Sequence, residues 1–164
     1  KIFSYKKFKH GFTLIEVIVA CTIISTSTFA LMSASTKGIQ LSAQALRQTQ
    51  ANMLLEEGAE AVKSIRDASW TNISGLTLDT NYYLTFNTGT NTWSLGTTPT
   101  ATIDSIFTRT VVVSAVNRDA NDDIAVSGTV DTRTKKVTVT TSWTLADATT
   151  SSKTLAFYMS DIFN

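Results

Sequence analysis

Side chains able to do chemistry are few in this sequence, and they fall in two places. Asp119, Asn121 and Asp123 alternate along the run Asn117-Arg118-Asp119-Ala120-Asn121-Asp122-Asp123, a spacing that oxygen ligands take in the first half of an EF-hand calcium loop. The match then fails. Ile124 stands where that loop needs glycine and Val130 where it needs a bidentate glutamate, so a solvated acidic hairpin loop is the competing reading. The second place is the start of a long apolar run at 12–34, where Gly11 precedes Phe12 and a single carboxylate, Glu16, interrupts the hydrocarbon. An ionised glutamate in a membrane-spanning helix costs about 2.5 to 3.5 kcal/mol near the centre even on the gentler scales, so it either sits near a hydrated surface or has a partner. No cationic residue follows within several turns to serve as one.

What is missing narrows the function. The one histidine, His10, lies ahead of Phe12 among the leading lysines, and the one cysteine, Cys21, lies inside the apolar run, so the rest of the chain offers no Ser-His-Asp or Cys-His nucleophilic site, histidine-bound zinc or thiol redox motif. There is no phosphate-binding P-loop and no dinucleotide fingerprint. Asp and Glu are scattered through the C-terminal part, and no hydrolytic pairing can be read from their spacing. No enzymatic activity is expected, and calcium is the one cofactor the sequence raises. Net charge is +1 from fourteen basic and thirteen acidic residues, but Lys1, Lys6, Lys7 and Lys9 all precede Phe12. Without the first eleven residues ten basic residues face thirteen acidic ones, a balance of −3 that does not indicate a nucleic-acid partner. Asn72-Ile73-Ser74 is a glycosylation sequon of low specificity.

The element that must carry Glu16 is a helix. Residues 12–34 number 23, and at 1.5 Å per residue they cover about 34 Å, enough for one membrane pass. The lysines before the run, against Lys37 after it, place the N-terminus in the cytoplasm and the rest of the chain outside. A secretory signal would have a shorter apolar region ending at a small-residue cleavage site. Ile18-Val19-Ala20-Cys21 has the look of a lipoprotein cleavage site, but Ile23, Ile24, Phe29, Leu31 and Met32 carry the apolar run past the cysteine. A buried helical Cys21 is the simpler expectation.

The string Lys9-His10-Gly11-Phe12-Thr13-Leu14-Ile15-Glu16-Val17 resembles the prepilin cleavage and methylation motif of type IV pilins and pseudopilins. The resemblance implies that a membrane prepilin peptidase cuts after Gly11 and N-methylates Phe12. Glu16 would then be the fifth residue of the mature chain, the position that in the family pairs with the terminal amine of a neighbouring subunit. That would supply the missing cation. The resemblance covers about the first thirty residues. It implies as partners other pilin subunits, prepilin peptidase and a membrane assembly platform.

Beyond the anchor, Ile39, Ala43, Leu46, Met53, Leu54, Ala61 and Ile65 recur at helical spacing among Gln48, Glu56, Glu57, Glu60 and Lys63. A helix continuous over 12–66 would be about 80 Å long. Gly38 and Gly58 each cost about 1 kcal/mol against alanine there and mark points of bending or melting, or of close packing. A free coiled coil is disfavoured because the stripe lacks sustained heptads. From Trp70 onward the period becomes two. The clearest strand is 135–145, with Val137, Val139, Thr141, Trp143 and Leu145 on one face. The stretch 106–116 is apolar on both faces around Val111 to Val113 and so central. Further strands are expected over 82–86, 92–95, 124–130 and 153–159, with hairpin loops at 87–91 and 131–134. Trp70, Trp93 and Trp143 are expected in the core or at a sheet edge.

These elements make an α+β fold: a long N-terminal helix, transmembrane in its first half and amphipathic in its second, packed on a C-terminal antiparallel sheet head. The expected organisation is a leader at 1–11, a helix at 12–66 and a head at 67–164. The expected function is a structural subunit, a minor pilin or pilin-like protein, of a type IV pilus or related filament. The chain would be held in the cytoplasmic membrane and then incorporated into a surface filament. A pseudopilin of a type II secretion system and a monomeric membrane-anchored binding protein are the alternatives.

Overall fold

The computed structural model describes residues 11–145 and 148–162; Lys1, Lys6, Lys7, Lys9, His10 and the last two residues lie outside that range. The chain divides into two compact units, 1–45 and 46–164. Helix α1 (Leu14–Ala68) contributes to both.

In the first unit α1 is the sole regular element among the described residues, and every side chain from 11 to 45 is exposed. In the second unit the same helix buries Ala51, Leu55, Gly58, Ala59, Ala61, Val62 and Ile65. Most of these fall at steps of three and four, which place them on one face. Ile39, Leu46 and Met53, expected in the apolar stripe, are instead 60 to 69 % exposed. At about 100° per residue Met53 lies on the far side of the helix from Leu55. The helix ends where Asn72 Nδ2 donates to Ile65 O at 3.2 Å, and a single turn, α2 (Thr71–Ser74), follows.

The sheet is antiparallel throughout. Its strands are β1 (Asn81–Asn87), β2 (Thr92–Gly96), β3 (Phe107–Arg118), β4 (Ile124–Ala125), β5 (Thr129–Thr144) and β6 (Thr150–Ser160), in the spatial order β2-β1-β3-β5-β6, with β4 beside the end of β3. The strand expected to be central, 106–116, is β3, flanked by β1 and β5. Its period-two alternation sends Phe107, Arg109, Val111 and Val113 inward, paired with Trp143, Thr141, Val139 and Val137 of β5. Leu55, Val62 and Ile65 of α1 close the main core with Ile73, Tyr82, Leu84 and Met159. Ala51 packs separately with Phe107 and Trp143. The tryptophans lie as expected: Trp143 is buried, while Trp70 and Trp93 are half-buried against the core.

Two expectations about the β3–β5 connection need correction. The stretch 124–130 is not one strand, because Gly128 adopts φ +147° and splits it. A Cβ there would stand 2.1 Å from Arg118 O, so the chain crosses the end of β3 at a point where only glycine fits. Nor is 131–134 a hairpin loop. One step along β3, from Ala115 to Val116, spans Lys135 to Asp131 on β5, so these residues form a bulge inside a longer strand. Asp131 Oδ1 holds the bulge by accepting the Arg133 and Thr134 amides at 2.8 and 3.1 Å.

Candidate functional site

At the start of α1 the local geometry follows from four residues. Thr13 is the N-cap and Glu16 stands three positions on, the pairing that makes a capping box. Glu16 Oε2 accepts the Thr13 amide at 2.8 Å and the Thr13 hydroxyl at 2.9 Å, while Thr13 Oγ1 accepts the Glu16 amide at 3.4 Å. The carboxylate is thereby tied to its own helix terminus, where an anion is favoured. Gly11 and Phe12 lie just ahead of this box in non-helical chain, with Phe12 88 % exposed and nothing within 4 Å of a Cβ built on Gly11. The Gly11–Phe12 bond is therefore sterically open.

The helix beyond is apolar on all sides. Leu14, Ile15, Ile24, Phe29, Leu31 and Met32 are each 64 to 79 % exposed, and the segment has a mean hydropathy of 2.0, long and apolar enough to cross a membrane. A surface of this kind calls for lipid or another protein. Its threonine hydroxyls suit either environment, because they are satisfied within the helix. Thr22, Thr26, Thr28 and Thr36 donate to carbonyls one turn back, at Val19, Thr22, Ile24 and Met32, over 2.8 to 3.0 Å. Cys21 is exposed on the same surface rather than buried, and only an apolar neighbour would cover it.

The acidic loop belongs to the head. Asp119 Oδ1 accepts the amides of Asn121 and Asp123 at 2.8 and 3.0 Å, and Asp123 O accepts the Asp119 amide at 2.9 Å. The strongest charge contact nearby is Arg118, whose Nε donates to Asp131 Oδ2 at 2.7 Å and lies 3.6 Å from Asp122 Oδ1. This guanidinium, helped by Thr134 and the Arg133 amide, holds the Asp131 carboxyl well below the usual carboxylate range, and Asp131 raises Arg118 in turn. Among the described residues no three His, Cys, Asp or Glu side chains converge as metal ligands. Asp119, Asn121 and Asp123 share a loop that is closed by its own amides, with Arg118 as the cation beside it.

Two features escaped the sequence reading. The Thr13-x-x-Glu16 capping box could have been read directly from its spacing. Arg109 is the other: it is 6 % exposed on the inner face of β3, its Nη1 donating to Leu54 O at 3.0 Å and lying 3.2 Å from Glu57 Oε2. Its guanidinium carbon sits 5.6 Å from the centre of the Trp93 ring. The signal was its place in the alternation Phe107-x-Arg109-x-Val111, which put a charge on the buried face. The sequon residue Asn72 spends its side-chain amide on the α1 terminus.

Residues 6–32 match the family model of the prokaryotic N-terminal methylation motif, a match that spans Gly11, Phe12, Glu16 and most of the apolar run. Neither the curated proteins nor the solved structures return a match. An open Gly11–Phe12 junction, a carboxylate at the head of the helix and an unsheathed apolar helix thus coincide with the matched residues, and the chain carries the type IV pilin/prepilin signature.

Proposed function

We propose that the chain is a structural subunit, a minor pilin or pilin-like protein, of a type IV pilus or related filament. The observation that carries this reading is the apolar surface over 12–34, exposed on every side and interrupted by Glu16 within the matched motif. Prepilin peptidase cuts after Gly11 and methylates the amine of Phe12. The helix is held in the cytoplasmic membrane with its N-terminus inside until the assembly platform passes it to neighbouring subunits. Calcium binding by Asp119, Asn121 and Asp123 belongs to this proposal as a separate element.

Glu16 gives the register. Before cleavage and assembly its carboxylate is held by Thr13. In the filament the methylated amine of a neighbouring Phe12 competes for it, and apolar ridges alone fix axial position poorly. A charge that is matched at one offset selects that offset, because an unmatched charge in hydrocarbon is expensive. Glu16→Ala is expected to insert, to be cut at Gly11 and to fold its head, while its count in sheared filaments falls sharply. Because Thr13 also loses its capping partner, Thr13→Val serves as the control: it breaks the box and keeps the carboxylate. Incorporation of Glu16→Ala equal to the parent, or loss by both variants alike, refutes the register role.

A further inference from the structure

The two edges of the sheet are built differently. β2 is five residues long and ends at Gly96, so it offers few unpaired backbone groups. β6 runs for eleven residues and pairs with β5 without a register slip from Thr150 to Ser160. Its other side has no strand against it among the described residues. Natural edge strands are blunted by brevity, proline, bulges or several charges. β6 has no proline and no bulge, and Lys153 is its one charged residue. Its inner-face residues Leu155, Phe157 and Met159 pack on the core, and its outer face presents Ala156 and Tyr158, Tyr158 being 52 % exposed.

We propose that β6 is an interaction edge whose partner is the β6 of a second copy of this chain, added antiparallel about a two-fold axis through Phe157. The sequence of the strand singles out this register. Inner-face residues remain on the inner face, so Phe157 meets Phe157, Leu155 meets Met159, and Lys153 stands opposite Asp161. Outer-face residues pair as Ala156 with Tyr158 and Thr154 with Ser160. Apolar residues thus face apolar ones, hydroxyls face hydroxyls, and each copy's lysine faces the other's aspartate, twice over by symmetry. It is the charge of Asp161 that the pairing uses; its amide already donates to Arg133 O at 3.0 Å and extends the β5–β6 ladder. A register centred on Leu155 would place Lys153 against Phe157 and leave both lysines without an acid. The pairing concerns the head alone and does not rest on the filament reading.

The test uses the full chain in detergent micelles with Cys21→Ser removed from play. Two singly substituted proteins, Ala156→Cys and Tyr158→Cys, carry different tags and are mixed and oxidised. Both positions lie on the exposed outer face, and the proposed register makes them direct cross-strand neighbours, within disulfide reach. The expected product is the mixed disulfide, in excess over either same-variant dimer. Ser94→Cys, on the β2 edge, is the control and forms none. Lys153→Asp lowers the mixed product about fivefold, as two cross-strand charge pairs would, and Lys153→Asp with Asp161→Lys restores it. Absence of the mixed disulfide in folded protein overturns the proposal. So does equal cross-linking at Ser94→Cys, or a charge swap that restores nothing. Pairing only in the presence of another protein would overturn the choice of partner.

Discussion

Gly58 lies on the buried face of α1, and a Cβ placed there would stand 2.9 Å from Val139 Cγ1 and 3.0 Å from Arg109 Cδ. Neither neighbour can yield cheaply. Val139 is fully buried in the central pairing, and Arg109 is pinned by Leu54 O and Glu57. Gly58→Ala gains about 1 kcal/mol of helix propensity but incurs about 1 to 3 kcal/mol of overpacking. The net expectation is a loss of about 1 kcal/mol, or about 4 °C in melting temperature for a domain of this size. Thermal and denaturant unfolding of the head fragment 40–164, at one fixed protein concentration, measures it. Val139→Ala removes the nearer obstruction at a cost of about 2 kcal/mol. In that background Gly58→Ala should become neutral or stabilising, giving a coupling of about 1 to 2 kcal/mol between the two sites. If Gly58→Ala stabilises the head equally in both backgrounds, the helix does not sit on the sheet at this distance. Gly38 has nothing within 4 Å of a Cβ, so the same substitution there should simply raise the helicity of the full chain.

Mass spectrometry of protein made alongside prepilin peptidase is expected to find chains beginning at methylated Phe12, and Gly11→Val is expected to leave them uncut; a lipid on a terminal Cys21 would contradict both. Asp131 has its carboxyl lowered in the folded head by Arg118 first, then Thr134 and the Arg133 amide, so its stabilisation is complete above the unfolded value near about pH 4 and is lost as pH falls through and below the carboxylate range. Asp131→Asn should therefore be less stable at neutral pH and lose less stability on acidification, and parallel pH curves for the two proteins would refute this assignment. Millimolar calcium is expected to raise the melting temperature of the head above its value in chelator, as Asp119, Asn121 and Asp123 regroup around the ion; identical melting in the two would remove calcium from the proposal.

Periodicity made much of this structure legible in advance. Val137, Val139, Thr141 and Trp143 share a face because strand geometry leaves no other choice, and the apolar pair of faces around Val112 marked β3 as central. The matched N-terminal motif was readable because its chemistry is local: glycine, an aromatic, then a carboxylate in hydrocarbon. The errors lie where long-range contacts overrule local signals. Asp131 to Thr134 has turn composition, yet the β3 ladder pulls it into a bulge. Met53 and Leu46 are apolar at plausible spacing, but the small residues Ala51, Gly58, Ala59 and Ala61 let the helix approach the sheet, and these choose the face. Arg109 was overlooked because its partners, Leu54 O, Glu57 and Trp93, lie far from it in sequence.

The crossing at Gly128 also bears on the order in which the head forms. It brings the ends of β3 and β5 together through a short stretch of chain, and from there the pairing proceeds from Arg118 and Thr129 toward Phe107 and Trp143. The β1–β2 and β5–β6 pairs likewise join neighbours in sequence. Apart from β1–β3, which skips β2, these local pairings close small loops and are expected to form before the larger ones. The docking of the helix, which joins Ala51 to Trp143 across a long stretch of chain, closes the largest loop and is expected to come late. Residues at the crossing are therefore expected in the earliest structure, where replacement slows folding. Those beneath the helix belong to the last, where replacement hastens unfolding.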